Sequence, residues 1–115
     1  MNKPKLIHFY GTNDLAKTHQ FYHDVLGFKV YKDQGVCMIY HFFDSYIGFC
    51  THLPIVHQHK SPIITLVVDD VDMYYERLLK IDQEIKPPKL NKQFKIYHFY
   101  TTDPNGYTIE IQRFI

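Results

Sequence analysis

The sequence predicts an α+β fold made of two tandem βαβββ modules. Strand-like and helix-like patterns follow one another in the same order in both halves of the 115 residues. Two landmarks also recur at nearly the same spacing, which is typical of an internal repeat. Ile39-Tyr40-His41-Phe42 returns as Ile96-Tyr97-His98-Phe99, and Asp14-Leu15 returns as Asp70-Val71. We therefore interpret the chain as one domain, residues 1–115, with module one at about 5–54 and module two at about 62–115.

Module one is predicted to begin with a strand at Leu6–Thr12. Asp14 then provides a helix N-cap, and apolar residues recur at helical spacing as far as Leu26, where Gly27 ends the helix. Three more strands are predicted at Phe28–Lys32, Val36–Phe43 and Tyr46–Thr51, with a tight turn at Asp44-Ser45.

Module two repeats this order after a polar, histidine-rich segment. Ile63–Val68 predicts its first strand, Asp69-Asp70 begins the helix, and the apolar residues of 71–79 form the buried side of that helix. The short segment Gln83–Lys86 and the Pro87-Pro88 loop follow, and the last two strands are predicted at Phe94–Thr101 and Tyr107–Phe114, with the turn at Asp103–Gly106. The length of this turn decides which residues of the two strands face each other.

Composition excludes several classes of partner. The 13 basic and 12 acidic residues give a net charge of +1, which is not the basic excess of a nucleic-acid-binding protein. No apolar run reaches the roughly 18 to 20 residues of a membrane span, and no signal peptide is recognised, so we expect a cytoplasmic protein. In that reducing compartment, Cys37 and Cys50 are interpreted as small buried thiols and not as a disulfide. Aromatic residues make up 17% of the chain, which raises the question of packing or binding.

Three strings carry a resemblance to a known family. They are Phe21-Tyr22-His23-Asp24-Val25-Leu26-Gly27-Phe28, the helix start at Val68–Asp72, and Asp103-Pro104-Asn105-Gly106 leading into Tyr107–Ile111. Together they resemble the vicinal oxygen chelate superfamily, which includes glyoxalase I, extradiol dioxygenases, and bleomycin and fosfomycin resistance proteins. The resemblance covers essentially the whole chain and implies a half-barrel of strands around a cavity. It implies less about function, because this fold hosts lyases, isomerases, oxygenases and inert drug-binding proteins.

The resemblance also implies a divalent metal site built from the first and last strands of the modules. Glu110 matches the carboxylate on the last strand. Phe49 and Ile63 occupy two other ligand positions, and neither can bind a metal. The fourth position is Ile7 or, with a one-residue shift, His8. Glu110 and His8 alone are one ligand short, so we expect no metal cofactor here, although Zn, Ni, Mn or Fe is the kind of ion implied.

An aromatic cavity is predicted around Glu110. The polar Thr108, Glu110 and Gln112 alternate with apolar residues, which places the polar row on one face of the last strand. With the turns as placed above, Tyr40 lies across from Phe49, while Tyr97 and Phe99 share the face of Glu110. Ordinary packing of aromatic residues in a sheet is the alternative. The candidate catalytic residues are Glu110, His8 and Tyr10, and the candidate ligand-binding residues are Tyr40, Phe49, Ile63, Tyr97, Phe99 and Gln112.

The remaining histidines are interpreted as structural or solvated. His19 and His23 have a spacing that can bind a metal, yet it is also typical of a solvated helix face. His41 and His98 are equivalent in the repeat, which suggests a shared structural role. The lysines between residues 86 and 95 suit a soluble loop, with attraction of an anionic substrate as the alternative.

Two functions from different classes remain open. The first is a small-molecule enzyme of the glyoxalase or dioxygenase type with a degenerate metal site, for which the resemblance implies a lyase or a dioxygenase. Glu110 is then a metal ligand or a general base, assisted by His8 and Tyr10. The second is a non-catalytic protein that sequesters an aromatic or drug-like ligand, with Glu110 as a hydrogen-bond acceptor. The resemblance also implies a homodimer.

Overall fold

The computed structural model describes residues 3–115 and confirms the α+β class. The chain divides between Val56 and His57 into two compact units. Each unit contains one four-stranded mixed sheet and one helical segment in the order βαβββ, as the sequence predicts. No helix in the described part of the chain is both long and apolar enough to cross a membrane.

The first unit builds its sheet in the order β1-β4-β3-β2. The side chain of Asp14 accepts a hydrogen bond of 2.9 Å from the backbone N–H of Lys17 and so caps the helix. The helix α1 (Leu15–His19) continues directly as a π-helix (Gln20–Val25). The strands are β1 (Ile7–Gly11), β2 (Lys29–Asp33), β3 (Cys37–Phe42) and β4 (Ser45–Cys50), and β1 pairs with β4 in parallel.

The second unit has the equivalent order β5-β8-β7-β6. Asp70 caps the helix α2 (Val71–Leu79) by accepting a hydrogen bond of 3.0 Å from the backbone N–H of Met73. The strands are β5 (Ile63–Val67), β6 (Lys89–Asn91), β7 (Ile96–Thr102) and β8 (Thr108–Phe114), and β5 pairs with β8 in parallel.

Each sheet buries one face against its own helical segment. In the first unit, the ring of Tyr22 lies 4.6 Å from that of Phe49, and both residues are fully buried. In the second unit, Phe99 of β7 packs against Tyr75 of α2 with the ring centroids 5.4 Å apart. Ile109 and Ile111 of β8 are 0% exposed. Because side chains alternate along a strand, the residues between these core positions lie on the opposite face.

The turn between β7 and β8 is one residue longer than the sequence analysis placed it. Thr102 pairs with Thr108, so residues 103–107 form the connection. Asp103 stabilises it, because its Oδ1 accepts hydrogen bonds from the backbone N–H groups of Asn105 and Tyr107. A one-residue change in register exchanges the two faces of a strand.

The two cysteines form a disulfide, so the prediction of free thiols is wrong. Cys37 of β3 and Cys50 of β4 are directly opposite each other, with their Cα atoms 4.1 Å apart. The prediction rested on the expected compartment. It did not consider that the β3–β4 hairpin brings the two side chains together.

Candidate functional site

A polar cluster lies on the face of the second sheet that α2 does not cover. Its centre is Glu110 on β8. Thr65 of β5 and Tyr100 of β7 are the direct strand partners of Glu110 on its two sides, and therefore share its face. His98, two residues before Tyr100, lies on the same face of β7.

Hydrogen bonds occupy both oxygens of the Glu110 carboxylate. Thr65 Oγ1 donates to Oε1 over 3.0 Å, and His98 Nδ1 lies 2.6 Å from Oε2. His98 is 4% exposed and Glu110 is 7% exposed. A carboxylate buried to this degree and bonded to an imidazole is an arrangement that orients histidine in many active sites, and it becomes an ion pair when the ring is protonated.

This contact fixes the chemical role of each nitrogen of His98. An ionised carboxylate can only accept, so Nδ1 must carry the proton. In the neutral ring Nε2 is then left with its lone pair. His98 makes no further hydrogen bond within residues 3–115, and no fully buried side-chain nitrogen or oxygen of these residues lacks a partner. Nε2 therefore reaches the surface of the site.

Tyr100 completes the cluster. Burial raises the pKa of its hydroxyl, and the charge of Glu110 and a hydrogen bond to Glu110 raise this pKa further. The hydroxyl therefore stays protonated at neutral pH, and its residue lies directly opposite Glu110 on the neighbouring strand. The ammonium group of Lys60 lies over the Tyr100 ring, 4.2 Å from its centroid.

Two concavities of the second unit meet at His98 and Tyr100. The larger has a volume of about 780 Å³ and is also lined by Lys60, Lys86 and Lys89. The smaller, about 360 Å³, contains Glu110. Gln112, Phe94 and Phe114 lie on its walls. Ile63, another predicted ligand-binding residue, lies on the face of Glu110 but is paired with Thr108.

Tyr97 and Phe99 are not on the face of Glu110, and this prediction is wrong. Phe99 pairs with Ile111 and packs under α2. The hydroxyl of Tyr97 donates to Asp72 of α2. The cause is the longer turn at residues 103–107, which brings Tyr100 opposite Glu110. The shorter turn of the prediction would have placed Phe99 there.

The predicted aromatic residues of the first unit belong to its core. Tyr40 and Phe49 are 0% exposed and lie under the π-helix, and Tyr10 contacts Phe49 with the ring centroids 5.9 Å apart. Tyr40 pairs with Ile47 and not with Phe49, although all three share a face. The structure thus packs Tyr40 and Phe49 against each other and the helical segment, with the half-buried Tyr10 beside them. His8 is exposed on β1 and pairs with Ile47.

The four ligand positions that the resemblance implies do not fit a metal. In the second unit, Ile63 and Glu110 occupy them. Ile7 stands at the same distance before the helix cap Asp14 as Ile63 does before Asp70. In the parallel strand pairs, Ile7 is opposite Tyr46 and Ile63 is opposite Thr108. Gly48, two residues after Tyr46, is therefore the equivalent of Glu110. The prediction that Phe49 occupies this ligand position is therefore wrong: the position is held by Gly48, and Phe49 lies on the other face of β4. Three of the four positions have no donor atom, and both Glu110 oxygens already accept hydrogen bonds.

His98 is the functional residue that sequence reasoning missed. Its repeat with His41 suggested a structural role. His41, however, has only the carbonyl oxygen of Phe43 near Nδ1, at 3.3 Å, whereas His98 has a carboxylate. The signal was available in the strand pattern, because a five-residue turn places His98, Tyr100 and Glu110 on one face.

Two other groups in the described residues have donor atoms close enough to hold a metal ion. One is Cys37, Cys50 and His52. The other is His19, His23 and Asp24 on the helical segment, where the two imidazole rings stack with centroids 4.5 Å apart. His19 Nδ1 lies 2.9 Å from the Tyr40 hydroxyl. Neither group belongs to the Glu110 site.

Comparison with protein families identifies the chain. The model of the Glyoxalase/Bleomycin resistance protein/Dioxygenase superfamily matches residues 5–111. The chain belongs to this superfamily. The resemblance inferred from the sequence is therefore confirmed. A search of curated proteins finds no match for this glyoxalase-superfamily chain.

Solved structures share the fold of this glyoxalase-superfamily protein. The fosfomycin resistance protein FosX from Listeria monocytogenes has a TM-score of 0.79 at 17% identity, covering 100% of this chain and 96% of its own. A bleomycin resistance determinant encoded on transposon Tn5 has a TM-score of 0.75 at 18% identity, covering 97% and 98%. An integron cassette protein from the mobile metagenome of a Halifax Harbour sewage outfall has a TM-score of 0.79 at 17% identity, covering 97% and 99%. At these identities the similarity concerns the fold.

Proposed function

We propose that this protein binds a small oxygen-bearing molecule beside His98 and transfers a proton to or from it. The observation that carries the proposal is the 2.6 Å contact between His98 Nδ1 and Glu110 Oε2 in a buried pair next to two concavities. It modifies the interpretation from sequence, in which Glu110 itself was a metal ligand or the general base. Glu110 is here a positioning residue, and His98 is the group that contacts the substrate.

The chemistry follows from the tautomer. Nε2 of neutral His98 accepts a proton from a C–H or O–H group of the substrate. The imidazolium that forms is stabilised by the Glu110 carboxylate, which keeps its negative charge throughout. Thr65 holds that carboxylate in place by donating to Oε1, and Tyr100 lies directly opposite Glu110 on the neighbouring strand. A substrate whose adjacent oxygens carry developing negative charge fits the lysines that line the larger concavity.

No step of this mechanism passes through a metal ion at the family's site. Ile7, Ile63 and Gly48 offer no ligand atom, so Glu110 is the single ligand among the four positions. The His98–Glu110 pair instead provides an acid and base in one unit of the chain.

Non-catalytic binding is the second candidate function. The observation that favours it is the aromatic rim of the smaller concavity, where Phe94 and Phe114 are each 64% exposed. Exposed rings beside a buried polar centre suit stacking on a planar ligand, with Gln112 and Tyr100 available for hydrogen bonds.

Solvent hydrogen exchange distinguishes the two functions without knowledge of the product. A panel of 2-oxo and 2-hydroxy carbonyl compounds is incubated with the protein in D2O, and deuterium incorporation next to the carbonyl is followed by NMR. We expect at least one compound to exchange with the wild type and to exchange about 10²- to 10⁴-fold more slowly with His98→Gln. His41→Gln, in the repeat-equivalent position, is the matched control and retains the rate.

The opposite results are equally informative. If compounds bind, as seen by line broadening, and none exchanges, the binding function replaces the enzymatic one. If exchange persists in His98→Gln, His98 is not the base. The homodimer and the cytoplasmic location stay predictions, and light scattering of the purified protein tests the first.

A further inference from the structure

The Cys37–Cys50 pair has a histidine beside it. His52 lies two residues after Cys50, and its Nδ1 is 3.8 Å from the sulfur of Cys37. The two sulfurs and an imidazole nitrogen lie within 4.8 Å of one another. Cys37 and Cys50 are 7% and 2% exposed, whereas His52 is exposed, so the group is closed on the protein side and open to solvent.

We propose that the reduced form of this group is a zinc site and that the disulfide is its metal-free form. Two thiolates and one imidazole are a common donor set for Zn²⁺, with one position left for water or a further ligand. With Zn–S of about 2.3 Å and Zn–N of about 2.0 to 2.1 Å, tetrahedral geometry requires sulfur and nitrogen about 3.6 Å apart. The observed 3.8 Å separation of Cys37 Sγ and His52 Nδ1 is close to this value.

The backbone already holds the three residues in place. Cys37 and Cys50 face each other on β3 and β4. The carbonyl of Cys50 accepts from the backbone N–H of Thr12 over 3.1 Å, and the N–H of Thr51 donates to the carbonyl of Val36 over 2.9 Å. These bonds involve no cysteine sulfur, so the pairing of the backbone does not depend on the disulfide. Zinc binding then requires the two sulfurs to move apart from their bonded distance.

The redox step balances with a dithiol as the reductant. The S–S bond breaks as the pair takes up two electrons and two protons, and the dithiol becomes a disulfide. Zinc binding then releases both thiol protons because thiolates are the ligands. A small-molecule disulfide reverses the step: it takes up the two electrons and two protons to become a dithiol, and the Cys37–Cys50 bond re-forms. The ion is then expelled, since sulfurs joined in a disulfide are no longer thiolates.

A zinc titration of oxidised and reduced protein tests the proposal. The protein is stripped of metal, one portion is reduced with a phosphine, which introduces no competing thiol, and Zn²⁺ is measured against a chromophoric chelator. We expect one tight equivalent per chain only in the reduced portion. Cys37→Ser and Cys50→Ser abolish it, and His52→Ala weakens it by about tenfold or more. His41→Ala, elsewhere in the same unit, is the matched control and binds as the wild type does.

Three results would overturn the proposal. Equal binding by oxidised protein assigns the zinc to other residues, and loss of that binding in His23→Ala would identify the His19–His23 group. Unchanged affinity in His52→Ala removes the imidazole from the site. If reduction unfolds the chain, zinc must restore the circular dichroism of the oxidised form, and failure to do so counts against the site.

Discussion

His98 donates from Nδ1 to Oε2 of Glu110 across 2.6 Å, and the two residues lie on neighbouring strands of one sheet. Glu110→Gln keeps the shape of the side chain but removes its charge, so the tautomer of His98 is no longer fixed. We expect the Nδ1–H form to dominate in the wild type and to lose population in the variant. Nitrogen-15 NMR of the imidazole measures this directly, and an unchanged spectrum would show that Glu110 does not position the ring.

Thr65→Val separates stability from positioning. The substitution removes the 3.0 Å hydrogen bond to Glu110 Oε1 and leaves the contact with His98 intact. We expect a loss of about 1 to 3 kcal/mol in the free energy of unfolding, because the acceptor is charged. Urea denaturation measures it. The imidazole spectrum should match that of the wild type, and a changed tautomer would mean that Thr65 also acts on His98.

The register of β7 and β8 predicts losses of stability of different size for substitutions at two adjacent residues. Phe99 is 3% exposed under α2, so Phe99→Ala should cost about 3 to 5 kcal/mol of stability. Tyr100→Phe removes only a hydroxyl on the other face and should cost about 0.5 to 1.5 kcal/mol. Thermal or urea unfolding compares them. A larger loss in Tyr100→Phe would contradict the five-residue turn.

Tyr40 predicts loss of stability at alkaline pH. Burial, with smaller contributions from the charges of Asp24 and Asp33, raises its pKa from 10.0 to about 12. Since the folded protein holds this proton more tightly than the unfolded chain, the stabilisation is complete below pH 10 and is lost as pH rises through about 12. It amounts to at most about 2 to 3 kcal/mol.

The measurement is urea unfolding of the wild type and Tyr40→Phe across this pH range. At neutral pH the variant lacks the hydrogen bond to His19 and should be less stable. The difference should shrink above pH 10, because only the wild type loses the contribution of Tyr40. A constant difference would show that the pKa is not raised.

Local sequence patterns were sufficient for most elements of the fold, the exception being β6, which lies at Lys89–Asn91 and not at the predicted segment Gln83–Lys86. Asp14 and Asp70 cap the two helical segments as predicted, because an N-cap depends on the side chain itself and on backbone N–H groups a few residues away. The alternation of Thr108, Glu110 and Gln112 with buried isoleucines likewise fixed the faces of β8, since a strand's period does not depend on its partners.

Relationships between elements were harder to predict. Which residues of β7 and β8 share a face depends on the length of the turn between them, and this turn is one residue longer than predicted. As a result Tyr100, and not the predicted Phe99, lies opposite Glu110. The Cys37–Cys50 bond depends in the same way on the register of a hairpin. Tyr40 and Phe49 were assigned to a ligand wall because the tendency of aromatic residues to occupy strands does not distinguish a core from a cavity.

Gly48, the equivalent of Glu110 in the first unit, lies beneath the ring of Phe9. A Cβ atom at position 48 would come within 2.6 Å of Phe9 Cδ1 and Cε1. A side chain at this position therefore requires the Phe9 ring to move, and the 47% exposure of Phe9 leaves it room on the solvent side. The ring thus serves as a cover over bare backbone, so a second acidic centre in the first unit depends on where Phe9 lies as much as on residue 48 itself.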